Sequence, residues 1–153
     1  MTRRRFLALL PAALLLAQCG PEPKPPAVLT LTITGSADQN PDINGTASPV
    51  AVRIYQLTAT AKFERSDWSL LTAQEKQTLG TDSAASEEFV ISPSEKRTLT
   101  FEPKPQVQSI GVVVLYRDID HAQWRAVAPV ATSGPTKLAL AIARLAVTLK
   151  PGP

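Results

Sequence analysis

Residues 28–34 read VLTLTIT. Successive side chains of a strand point to opposite faces, so Leu29, Leu31 and Ile33 take one side and Thr30, Thr32 and Thr34 the other. This alternation predicts a half-buried strand with one face on a core. The next fifteen residues, GSADQNPDINGTASP (35–49), carry Gly, Pro, Asn and Asp at turn-forming density. They predict a loop, and a hairpin loop is usually about two to five residues. Loops of this length in a compact domain are commonly functional or disordered. VAVRIYQL (50–57) then predicts the second strand.

Further along, the period changes. In FERSDWSLLTAQEKQTLG (63–80), Ser66 is expected to cap a short helix carrying Trp68 and Leu71. Thr72 and Glu75 fit a capping box, and Gly80 fits a C-terminal stop. The expectation is two short helical turns inserted between strands and packed by Phe63, Trp68, Leu71 and Leu79. Strand signals return in EEFVIS (87–92) and RTLTF (97–101), which flank a PSE turn. SIGVVVLYRDI (109–119) lacks alternation, which predicts a central strand covered on both faces. Gly111 within it marks either a bulge or a close approach. QWRAVAPV (123–130) is a further strand.

In KLALAIARLAVTL (137–149) the apolar parity flips near Ala143 and Arg144, as a bulge or a tight reversal would require; the Ala and Leu content also permits a helix. Seven or so short strands with regular turns predict a mainly β protein, a β-sandwich with a short helical insertion. Glu87 and Glu88 are adjacent, point to opposite faces and read as edge charges that discourage aggregation.

Upstream of the first strand, GPEPKPPA (20–27) holds four prolines and predicts an extended polyproline tether of roughly 25 Å at about 3.1 Å per residue. Before it stands Cys19, the only cysteine, which no second cysteine of the chain can pair. Arg3, Arg4 and Arg5 precede a twelve-residue apolar run from Phe6 to Ala17. That run is shorter than the roughly 20 apolar residues a spanning helix needs, and its order fits an export signal. Leu16-Ala17-Gln18-Cys19 resembles the lipobox of bacterial lipoproteins, with Gln18 where Gly, Ala or Ser is usual. The resemblance implies cleavage before Cys19 and a diacylglyceryl group on its sulfur. TRRRFL (2–7) also looks like a twin-arginine signal, and the export route stays open. The chain is thus divided into a signal (1–18), a lipidated tether (19–27) and a sandwich domain (28–150).

Without the signal, thirteen basic residues face thirteen acidic ones, so the precursor charge of +3 is a property of the signal. The basic footprint of a nucleic-acid binder is absent. His121 is the only histidine. Asp118, Asp120 and His121 read as a polar turn, because a zinc site needs three or four N or S ligands. A Ser-His-Asp triad would have to use His121, and the chain has no G-x-S-x-G elbow and no phosphate-binding glycine loop. The expectation is a non-enzymatic protein with no small-molecule substrate and no cofactor apart from the covalent lipid on Cys19. Binding falls to the long first loop, with Asp38, Gln39, Asn40, Pro41, Asp42, Ile43 and Asn44 as candidate contacts; a solvated, mobile connection is the other reading of the same residues.

Taken in order, these features resemble the outer-membrane lipoprotein family of bacterial type VI secretion systems (TssJ/VasD-like). The residues that carry the resemblance are Cys19 after its signal, the Asn-rich loop and SPVAVRIYQL (48–57). Phe63, Asp67 and Leu71 continue it, then LYRDI (115–119) and Trp124-Arg125. The resemblance implies a two-layered, transthyretin-like β-sandwich with an added helical element. It implies a lipid anchor in the outer membrane, on its periplasmic face. It also implies that loop Asp38–Ser48 holds the periplasmic C-terminal region of the IcmF-like (TssM-type) inner-membrane protein, building a trans-envelope complex. On this reading, replacing Asn40, Asp42 and Ile43 together weakens partner binding without unfolding the domain. The alternatives are another lipid-anchored periplasmic β-sandwich that assists assembly or carries a cargo, and an anchored hydrolase.

Overall fold

The VLTLTIT alternation forms β1 (Ala27–Gly35), and its three apolar side chains, Leu29, Leu31 and Ile33, are fully buried. The computed structural model describes Gly20 and residues 22–153. The signal (1–18) and Cys19 lie outside the described residues. After β1 come β2 (Val50–Leu57) and three short helices, α1 (Ala61–Arg65), α2 (Trp68–Ala73) and α3 (Glu75–Leu79). Six strands follow: β3 (Ser83–Ile91), β4 (Lys96–Phe101), β5 (Ser109–Val114), β6 (Arg125–Pro129), β7 (Gly134–Ile142) and β8 (Val147–Pro151).

The strands make two four-stranded sheets, ordered β4-β1-β7-β8 and β3-β2-β5-β6. β1 and β7 run parallel, and the other strand pairs are antiparallel. The core between the sheets takes Leu29, Leu31, Ile33, Leu138, Leu140 and Ile142 from one layer. Val52, Ile54, Ile110, Val112 and Val114 come from the other. The chain is therefore a two-layered, transthyretin-like β-sandwich. The parity flip at Ala143–Arg144 is the tight reversal between β7 and β8, not a bulge or a helix. The turn Ser92–Glu95 carries the chain from one sheet to the other, so β3 and β4 never pair. Glu95 closes this turn by accepting the Ser92 amide at 2.8 Å and the Arg97 guanidinium.

β5 is covered on both faces: every residue from Ile110 to Val114 is buried. Its second face meets the helical insertion, which builds a smaller core from Tyr55, Leu57, Phe63, Leu71, Leu79 and Val113. Gly111 is a close approach and not a bulge. A Cβ there would stand 2.8 Å from the Phe63 ring and 2.9 Å from Leu57, well inside van der Waals contact.

The helices differ from expectation in number and in caps. Asp67, not Ser66, precedes α2, and Ser66 instead ends α1. Thr72 sits inside α2 with its hydroxyl donating to the Trp68 carbonyl at 2.9 Å, so no capping box forms. Helices of five or six residues add few turns of their own, and packing rather than capping fixes them. Gly80 does end α3, at φ 54°. Trp68 is 39% exposed and does not join the small core. Polar ties bind the insertion to the sheet, among them two from β2. The Tyr55 hydroxyl donates to Leu71 O at 3.0 Å, and burial pushes its pKa up to about 12. Arg53 donates to Thr72 O at 2.9 Å and pairs with Glu88 at 2.7 Å. Glu88 and its neighbour Glu87 are exposed on the edge strand β3.

Candidate functional site

Loop 36–49 leaves the end of β1 and returns to β2, and three of its polar residues, Gln39, Asn40 and Ser48, are buried. Gln39 is fully buried and donates through Nε2 to Ile91 O at 2.8 Å and to Ser48 O at 3.4 Å. Its backbone carbonyl accepts the Ser48 amide at 3.1 Å. Gly35 makes room for it, because a Cβ there would lie 2.3 Å from Gln39 Oε1.

Asn40 is 3% exposed and sits at φ 45°, a left-handed conformation that Asn tolerates better than most residues. Its amide donates to Arg144 O at 3.0 Å, and its Nδ2 donates to Pro49 O at 2.8 Å. Its Oδ1 accepts the Arg117 amide at 2.8 Å. One buried residue thereby joins three loops: 36–49, the segment after β5, and the β7–β8 turn.

Beyond Asn40 the chain makes a tight tip. Asp42 Oδ1 accepts the amides of Asn44 at 2.9 Å and Thr46 at 2.8 Å. The Asp42 amide donates to Thr46 O at 2.8 Å, and Gly45 supplies a φ of 82°. At the apex Ile43 is 100% exposed. A wholly solvated isoleucine on a turn fixed by so many backbone bonds is a presented apolar group, not a floppy one.

The seven candidate residues therefore divide. Pro41, Asp42, Ile43 and Asn44 form the tip. Asp38 is exposed at the loop base, accepting the Ser36 hydroxyl at 2.7 Å. Gln39 and Asn40 hold the loop to the sandwich. Replacing Asn40, Asp42 and Ile43 together therefore probes the fold as well as binding, because Asn40 is buried and hydrogen-bonded to three segments.

Two arginines that no sequence pattern joins to this loop stand beside it. Arg117 and Arg144, with Leu145 and Asp118, line a shallow concavity of about 680 Å³ against Asp42 and Ile43. No spacing rule links positions 43, 117 and 144; only the folded topology does. At the same end His121 Nδ1 stands 2.7 Å from Asp118 Oδ1 in an exposed turn. That hydrogen bond and the Asp118 charge raise the His121 pKa above its ordinary value. Among the described residues no cluster of three or more His, Cys, Asp or Glu is placed to hold a metal ion.

A family model described as "Type VI secretion lipoprotein, VasD, EvfM, TssJ" matches residues 27–145. No curated protein matches the chain. Among solved structures, the T6SS lipoprotein TssJ1 from Pseudomonas aeruginosa is similar with a TM-score of 0.81 and 30% identity, over 84% of this chain and 98% of that one. Lip from Serratia marcescens, a membrane bound component of the Type VI Secretion System, is similar with a TM-score of 0.74 and 20% identity, over 84% and 97%. A chain in a structure of the T6SS protein TssM C-terminal domain from EAEC is similar with a TM-score of 0.67 and 22% identity, over 82% and 98%. The last two likenesses speak to the fold.

Proposed function

The chain belongs to the type VI secretion lipoprotein family, and on that premise we propose that it is a lipid-anchored scaffold of the secretion machine's membrane complex. Residues 1–18 direct export, and Cys19 carries the lipid that holds the protein on the periplasmic face of the outer membrane. Residues 19–27 are the tether and 28–150 the working domain. The tip Pro41–Asn44 grips the periplasmic C-terminal region of the IcmF-like (TssM-type) protein of the inner membrane. The role is mechanical and needs no catalytic group, cofactor or small-molecule substrate.

One observation carries this reading: the tether and the tip leave opposite ends of β1. The Gly134 amide, where β7 begins, donates to the carbonyls of Pro25 and Pro26 at 3.3 and 3.2 Å, fixing the tether at one pole. Nine residues later β1 delivers the chain to loop 36–49 at the other pole. At roughly 3.3 Å per residue the strand spaces the two by about 30 Å. A group held to one membrane at the first pole offers the second to the space beyond. Several acyl chains on Cys19 give retention that a single chain does not, at about 0.8 kcal/mol per buried methylene.

Two experiments test it. Cys19→Ser abolishes palmitate labelling and frees the folded protein from outer-membrane fractions; labelling that persists overturns the anchor. Ile43→Ser with Asn44→Ala, which leaves Asn40 and Asp42 in place, lowers co-purification with the IcmF-like protein from detergent-solubilised envelopes while thermal stability is kept. Unchanged co-purification overturns the assignment of the tip.

A further inference from the structure

We propose that the docking surface is wider than the loop: Arg117 and Arg144 flank Ile43 and offer two free guanidinium groups beside an apolar knob, a receptor for an acidic segment of the periplasmic partner that also carries an apolar side chain. The proposal rests on the reading of the tip as the partner contact and adds the chemistry that it recognises.

The first observation is how these residues are held. Asn40 binds the backbones of both arginines, accepting the Arg117 amide and donating to Arg144 O. Next to them, the Tyr116 hydroxyl donates to Ala143 O at 3.2 Å, and the Gln123 amide donates to Leu145 O at 2.8 Å. The two arginine-bearing segments are thus fastened to each other and to the tip. An interface assembled from separate loops loses less ordering entropy on binding when those loops are already fixed.

The second observation concerns charge. The described residues contain six arginines. Arg53 and Arg97 are in ion pairs. Arg125 donates to Phe63 O and Ser66 O and lies 4.7 Å above the Trp124 ring, and Arg65 donates to Ala61 O. Arg117 and Arg144 are both exposed, and among the described residues neither guanidinium is in an ion pair or bonded to a protein acceptor. They are the two left over, and they stand on one concavity.

Two acids, Asp42 and Asp118, line the same concavity and keep their charge, each with one oxygen held by a neighbour rather than by an arginine. Asp42 holds the tip amides, and Asp118 pairs with His121. Free guanidinium forks match carboxylates with two parallel hydrogen bonds, and arginine is enriched where interfaces concentrate their binding energy. The exposed Ile43 adds an apolar knob, and half-buried Leu145 an apolar floor. Because the tether leaves the opposite pole, the anchoring membrane's headgroups are not the ligand that this geometry favours.

The test uses the full-length lipoprotein in detergent micelles and the purified periplasmic C-terminal region of the IcmF-like protein, with affinity measured across ionic strength. Arg117→Glu and Arg144→Glu each weaken binding roughly tenfold at low salt. The double variant weakens it further and flattens the salt dependence, and lysine substitutions at acidic positions of the partner restore its binding. Arg117→Gln with Arg144→Gln gives the same direction with a smaller loss, as a variant with no reversed charge to disturb the pole. Double-variant binding within twofold of the parent, with an unchanged salt slope, overturns the proposal. If Ile43→Ser still loses binding in that case, the tip assignment stands alone; if it does not, the tip assignment falls too. Loss of cosedimentation with phosphatidylglycerol vesicles by the double variant, with partner affinity intact, also overturns the proposal and assigns the arginines to lipid.

Discussion

Asn40 and Ile43 lie three residues apart in one loop and have opposite roles. Asn40 makes three hydrogen bonds from a left-handed backbone position, and Ile43 touches solvent on every side. Asn40→Ala removes two side-chain bonds, leaves the Arg117 amide without its acceptor and strains the backbone. It lowers stability by about 2–4 kcal/mol, measured by urea unfolding. Ile43→Ser changes stability by less than about 0.5 kcal/mol in the same assay. Composition made the loop legible in the sequence but could not sort these two, because two of the three partners of Asn40, Arg117 and Arg144, come from far along the chain. His121 supplies a second prediction. Asp118 raises its pKa above 6.5, so the charged pair is complete below pH 6.5 and its contribution is lost as pH rises through the folded-state value. NMR titration of the His121 ring reports a midpoint above 6.5, and Asp118→Asn moves it back down.

Among the elements, the helical insertion shows what alternation can and cannot reveal. The sequence marked its place between strands, its terminal Gly80 and three of its four packing residues. It misplaced the caps, because no side chain caps the start of any of these helices and packing on β2 and β5 decides where each begins. Leu71 is fully buried at the centre of that contact. Leu71→Ala costs about 2–5 kcal/mol, read by thermal or urea unfolding. Tyr55→Phe, which deletes only the bond to Leu71 O, costs about 1 kcal/mol. The strands were legible wherever one face is apolar and the other polar. Their assignment to sheets was not: β3 and β4 are joined by a turn short enough for a hairpin, yet they belong to different layers. Period-2 patterning says which side of a strand is buried, never which neighbour it joins.

At the scale of the whole molecule, β1 is the piece that connects everything. It pairs over six positions with antiparallel β4 and over nine with parallel β7, and it runs from the proline tether to the loop pole. A tug between the poles, applied through the tether and the tip, is directed along β1. The covalent backbone of β1 carries that load from one end of the strand to the other, and neither ladder has to open one rung after another like a zipper. Single-molecule pulling between a handle on the tether and one at residue 43 gives a higher rupture force than pulling between handles at residues 134 and 151, which peels β8 from β7. A single strand that runs between the two attachments, held in mid-layer by β4 and β7, therefore makes the domain a tensile link, strongest along the line that joins them.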